Sequence, residues 1–88
     1  MSFEWDPHKG LSNFEKHGVV FPEAVSALED EYALTIEDDA VSERRYITIG
    51  MDATERLIVV VYTFRGEAIR IISARRATAK EQKDYEAS

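Results

Sequence analysis

The chain has 88 residues, 44% apolar and 32% charged, which fits one small folded domain over residues 1–88 and argues against both a disordered tail and a membrane protein. It has no cysteine, which excludes a disulfide framework, thiolate catalysis and zinc-finger sites. Its net charge of −6 argues against a general nucleic-acid binder, because neutralising phosphates takes a positive surface.

Phe3-Glu4-Trp5 alternates and stops at Asp6-Pro7, which predicts a short strand closed by a turn. Asp6 before Pro7 predicts an N-cap with proline in the first turn, and Gly18 predicts a left-handed stop, so a helix is expected over residues 7–17. Leu11 and Phe14 share one of its faces; Lys9, Asn13, Lys16 and His17 share the other. Residues 22–28 read as a second short helix with Val25 and Leu28 toward the core. Glu29, Asp30 and Glu31 belong to the turn after it, because the helix dipole disfavours acids at a C-terminus.

From Tyr32 the period changes to two. Residues 32–37 read as a half-exposed strand, 38–43 as a polar connection and 45–50 as a second strand. Residues 57–64 are continuously apolar and rich in β-branched side chains, the pattern of a central strand covered on both faces. Arg65-Gly66-Glu67 is a hairpin turn, and residues 68–75 complete a four-strand meander. Thr78 with Glu81 three residues on predicts a capping box for a last helix over residues 79–86. The class is α+β: an N-terminal strand free to pair with an edge, two helices, an antiparallel meander and a C-terminal helix, with the helices on one face. No apolar run approaches the ~18–20 residues that span a bilayer. Residues 1–20 carry acids and a His-Lys pair where a signal peptide would be apolar, so a cytoplasmic protein is expected.

Charge is unevenly spread. Residues 1–44 carry a net of −8 and residues 45–88 a net of +2. Arg65, Arg70, Arg75, Arg76 and Lys80 face a single acid, Glu67, in the stretch from Tyr62 to Lys80. Such asymmetry points to a local anion site or a charged partner. Two clusters could carry chemistry: the helix face Lys9, Asn13, Lys16 and His17, and the arginines of the last hairpin. Arg70 interrupts an apolar strand, so it must reach a carboxylate, a cleft or a ligand phosphate. Strict alternation puts Arg70 on one face of that strand and Arg75 on the other. The plain alternatives are surface ion pairs with acids such as Glu4, Glu15 or Glu67, and a solvated helix face. The chemical reading is RNA cleavage without a metal by attack of the 2′-OH on phosphorus, with arginines holding the phosphoryl oxygens and His17 near neutrality for proton transfer. Two histidines nine residues apart match no familiar metal-ligand spacing.

These residues also carry a resemblance. Phe3-Glu4-Trp5-Asp6-Pro7 with Lys9, then Asn13, Lys16-His17-Gly18 and Phe21, is similar to the opening of the BrnT family. Glu43-Arg44-Arg45-Tyr46, Ile49-Gly50, Val61-Tyr62-Thr63, Arg65-Gly66, residues 70–75, Ala77-Thr78, Glu81 and Tyr85 resemble the rest, over roughly residues 3–85. The resemblance implies a RelE-like fold and an endoribonuclease toxin of a type II toxin–antitoxin module that arrests translation. It also implies a BrnA-like antitoxin with a ribbon-helix-helix DNA-binding part, and a hetero-oligomer that touches DNA only through that partner. Arg65, Arg70, Arg75 and His17 are then the expected catalytic residues, with Lys9, Lys16 and Arg76 on RNA phosphates and no metal or other cofactor. The chain departs from the pattern twice. Phe64 stands where an acid is expected between Thr63 and Arg65, and Leu28 and Glu31 flank Asp30 where an aromatic and a proline are expected. A second reading is a non-catalytic module that pairs with a DNA-binding antitoxin and tunes repression. A housekeeping RNA-binding domain, the third, is disfavoured by the net charge.

Overall fold

The computed structural model describes residues 1–39 and 43–88, so part of the polar connection expected at 38–43 lies outside the described residues. Strand β1 (Ser2–Glu4) runs into helix α1 (Pro7–His17), whose two ends follow the sequence. The Asp6 carboxylate accepts the His8 backbone N–H at 2.8 Å, and Gly18 closes the helix at φ 71°. Helix α2 (Phe21–Leu28) starts one residue before the expected position, with the Glu23 carboxylate accepting the Val20 N–H at 3.2 Å.

Four strands follow: β2 (Leu34–Asp38), β3 (Arg45–Met51), β4 (Leu57–Arg65) and β5 (Ala68–Arg76). They form the expected antiparallel meander, and β1 adds to β5 in parallel, so the sheet is mixed with order β1-β5-β4-β3-β2. The two helices carry the chain from β1 to the far edge of the sheet, and the meander then walks back to β1. Among the described residues no helix is long and apolar enough to cross a membrane.

The core lies between α2 and one sheet face. Val19, Phe21, Ala24 and Ala27 pack on Ile58, Val60, Tyr62, Ile69, Ile71 and Ala74, with Val25 and Leu28 half-buried beside them as expected. Burying a side chain such as Phe21 or Ile58 contributes about 2–3 kcal/mol each. Small residues let α2 approach the sheet closely, and Gly50 lies directly beneath Ala27.

Three features depart from simple periodicity. First, the apolar face of α1 is the outer one. Leu11 and Phe14 are 60% and 48% exposed, and with Trp5 and Pro22 they line an apolar groove. The polar face turns inward, and Asn13 is buried. Its amide donates to the carbonyls of Val19 (2.9 Å) and Ala74 (2.8 Å), and its oxygen accepts the Ala74 N–H at 3.0 Å. Strand β1 covers only Ala68–Arg70 of β5, so Asn13 acts as the missing strand neighbour for Ala74. Second, β5 bulges. Tyr62 pairs with Ile71 and Val61 with Ser73, leaving Ile72 as the extra residue. The bulge resets the alternation, so Ile69, Ile71 and Ala74 all enter the core. Arg70 and Arg75 therefore share the opposite face, which corrects the strict alternation read from the sequence.

Third, helix α3 (Ala79–Ala87) does not join the other helices on one face. Its Glu81 and Asp84 line a depression with Leu34, Ile36, Ile47 and Ile49, the residues that alternate with those facing α2. None of its residues is buried, so polar anchors hold it. The capping box forms as expected, with the Glu81 carboxylate accepting the Thr78 N–H at 2.8 Å and Thr78 Oγ1 accepting the Glu81 N–H at 3.2 Å. Arg75 donates to both Glu81 oxygens at 2.8 Å. At the far end Tyr85 donates to Asp30 at 2.6 Å, and Asp30 also accepts the N–H groups of Met51 and Tyr32. The hydrogen bond to that carboxylate, helped by partial burial, pushes the Tyr85 phenol up to about 12.

The Arg75 hydrogen bonds, against the opposing effect of desolvation, bring the Glu81 carboxyl down from 4.5 to about 2. A depressed carboxylate pKa stabilises the fold above the unfolded value, and that contribution is lost as pH falls through the folded value. Glu81→Gln should therefore lower the unfolding temperature at neutral pH, with the gap to wild type closing as pH drops from 4.5 toward 2. Thermal unfolding across that range checks this; a gap independent of pH would show that the charge of the pair adds nothing.

Candidate active site

One end of the sheet gathers charge from four strands. The register sets Glu4 of β1 beside Arg70 of β5, and Arg70 opposite Thr63 of β4. Tyr46 of β3 pairs with Tyr62, which brings Arg45 to the same end. Thr63 Oγ1 donates to the Arg44 carbonyl at 2.8 Å and pins the start of β3 there. Lys9 reaches in from α1. Together Lys9, Glu43, Arg45, Thr63, Phe64, Arg65, Arg70 and Ile72 line a cleft of about 470 Å³.

The cleft is cationic. Lys9, Arg45, Arg65 and Arg70 face two carboxylates, Glu43 and Glu4. Glu4 is shared: its Oε2 lies 2.9 Å from Arg70 and 3.6 Å from Arg65. Glu43 has no ion-pair partner among the described residues. Arg45 differs from both neighbours. Its Nε is buried and has no hydrogen-bond partner among the described residues. A buried donor left open costs about 1–3 kcal/mol, so such groups are normally satisfied by solvent or a ligand.

The comparisons with known proteins agree with this frame. A family model described as the ribonuclease toxin BrnT of type II toxin–antitoxin systems matches residues 5–81. The chain belongs to the BrnT family. Its fold is similar to the crystal structure of the Brucella abortus ribonuclease toxin BrnT, with a TM-score of 0.72 and 30% identity over 89% of this chain and 97% of that one. No curated protein matches the chain. BrnT membership makes the chain part of a family of ribonuclease toxins, and the type II system implies an antitoxin partner.

Within this BrnT fold the residues expected from the sequence divide into three places. Arg65, Arg70 and Lys9 meet in the cleft. Lys16 and His17 lie next door, in a depression lined by Lys9, Ser12, Asn13, Lys16, His17, Ile72 and Ser73. Lys9 and the bulged Ile72 belong to both, so the helix face and the hairpin arginines adjoin along the edge of β5. Arg75 and Arg76 are elsewhere. Five residues of extended chain set Arg75 about 16 Å from Arg70, and Glu81 holds its guanidinium. Arg76 lines a third depression with Met51, Arg56 and Tyr85.

Arg45, Glu43 and Glu4 were not singled out as site residues. Arg45 and Glu43 belong to the Glu43-Arg44-Arg45-Tyr46 block. The signal was that the start of one meander strand lies beside the end of the next, which brings Arg45 level with Thr63 and Arg70.

Proposed function

We propose that the cleft is the site of a metal-independent endoribonuclease, in which the unpartnered, buried Arg45 Nε marks where an RNA phosphate sits. Arg45, Arg65 and Arg70 hold the non-bridging phosphoryl oxygens, and the guanidinium fork suits that charge. Glu43 takes the proton of the 2′-OH as its oxygen bonds to phosphorus. The bond from phosphorus to the 5′ oxygen breaks, and Lys9 gives that oxygen a proton. The products are a 2′,3′-cyclic phosphate and a free 5′-hydroxyl. Glu43 takes the base role because it lines the cleft, whereas His17 lines the adjoining depression. There His17 and Lys16 meet the next phosphate along the strand.

The partner on this reading is a BrnA-like antitoxin with a ribbon-helix-helix part. It neutralises the toxin in a cytoplasmic hetero-oligomer and carries the complex to DNA.

The test is cleavage of a single-stranded RNA by the purified chain. Arg70→Ala should cut about 100-fold more slowly, since losing one donor to a developing oxyanion costs about 10²–10³ in rate. A strand with 2′-deoxyribose throughout should not be cut, and products should end in cyclic phosphate. Intact RNA with folded wild type would favour the non-catalytic partner module instead. The specific observation on that side is that Glu4 already pairs with both Arg65 and Arg70.

A further inference from the structure

Strand β2 ends the sheet. It pairs with β3 alone, and among the described residues no other strand meets its outer edge. Folded proteins usually blunt such an edge with lysine, proline or a bulge, because open N–H and C=O groups template pairing with another chain. Residues 34–38 contain no lysine or proline, and their register with β3 is regular. Thr35, Ile36 and Glu37 are exposed.

The two faces beside this edge differ. Leu34 and Ile36 lie on the face away from α2, where they line a depression of about 280 Å³ with Ile47 and Ile49. Ile36 is 56% exposed there. Glu37 lies on the α2 face, opposite Tyr46. Acids close both ends: Glu29, Asp30 and Glu31 precede the strand, and Asp38 and Asp39 end it. From Gly18 to Glu43 the chain has no lysine, arginine or histidine. Glu81 and Asp84 wall the depression, with Arg75 the one base among its lining residues.

A strand added here would point alternate side chains into the aliphatic depression and the others toward Glu37. A second copy of this chain is a poor occupant, because pairing β2 with β2 brings the acidic ends of both copies together. We infer that β2 is the docking edge for a partner protein, which adds an extended segment of alternating aliphatic and basic residues as a further strand of the sheet. The type II family implies such a partner, an antitoxin. The docking edge is independent of the chemistry in the cleft.

An end-blocked heptapeptide, Lys-Val-Lys-Val-Lys-Val-Lys, tests this on the full chain, with binding followed by backbone amide NMR. One control carries Glu in place of each Lys. The other is the Lys–Val peptide N-methylated at every backbone amide, which keeps the charge but cannot donate to an edge. The parent peptide should bind about tenfold more tightly than either control and perturb the amides of residues 34–38. Ile36→Lys should erase most of its affinity at an unchanged unfolding temperature, and Glu37→Lys should remove its advantage over the Glu–Val peptide. Equal binding of the N-methylated and parent peptides would overturn the edge, since the net charge of −6 alone would then explain the attraction. So would absence of binding, or perturbation confined to amides elsewhere. RNA cleavage by the same preparations separates the two sites. Wild type that cuts RNA but fails these tests overturns the docking edge alone; wild type that passes them but leaves RNA intact overturns only the RNA site.

Discussion

Replacing Asn13 with leucine should destabilise the fold by about 3–5 kcal/mol, although leucine is a better helix former and similar in size. The Asn13 amide satisfies three buried backbone groups: the Val19 carbonyl and both the N–H and carbonyl of Ala74. Each would be left without a partner, at about 1–3 kcal/mol apiece. Water can relieve only part of this, because Asn13 is 6% exposed. The damage should also reach the cleft, since Asn13 ties α1, with Lys9, Lys16 and His17, to the edge of β5. Urea unfolding measures the loss. A leucine variant within about 1 kcal/mol of wild type would mean that Ala74 finds another partner at no cost.

Gly50→Ala should be at least as severe, about 3 kcal/mol or more. A methyl group at this position would overlap the Ala27 carbonyl oxygen and come within 3.0 Å of its carbon. Those atoms are backbone of α2, so the whole helix must lift off β3 to make room, and overpacking of this kind rarely relaxes cheaply. Gly66→Ala is the control. Its φ of 60° favours glycine, but nothing lies within 4 Å of the added carbon. That variant should lose only the ~1–2 kcal/mol of a left-handed residue. Unfolding curves for the pair would separate the effect of close approach from the effect of backbone conformation; similar losses in both would contradict the helix–sheet contact at Ala27.

Local chemistry in the sequence was enough for both ends of α1 and the start of α3, whereas β2 begins at Leu34, two residues after the expected Tyr32, whose N–H is held by Asp30 in a turn. Asp6-Pro7 and Gly18 bound α1, Thr78 and Glu81 start α3, and the switch to period two at Tyr32 announced the meander. Spacing also grouped Lys9, Asn13, Lys16 and His17 on one helix face. It did not say what that face meets. The partner of Asn13 is 61 residues away in the chain, and no local pattern encodes it. The bulge at Ile72 left no glycine or proline as a marker, so alternation carried Arg75 to the wrong face. Leu11 and Phe14 were readable as a pair but not as an outer surface.

The arginines show the same division. Arg70 stood out because a charge within an apolar strand needs a reason. Arg45 stood at the start of a strand, where charges are ordinary, and only the sheet register makes it a neighbour of Thr63 and Arg70. Arg75 looked equivalent to Arg70 by residue type, yet Glu81, six residues on, holds it for the anchoring of α3.

The most direct test is the rate at which folded Arg45→Gln cleaves single-stranded RNA beside wild type. An RNA phosphate held by the Arg45 guanidinium predicts a loss of about 100-fold at an unfolding temperature no lower than that of wild type. Cleavage at the wild-type rate would contradict a phosphate site at Arg45.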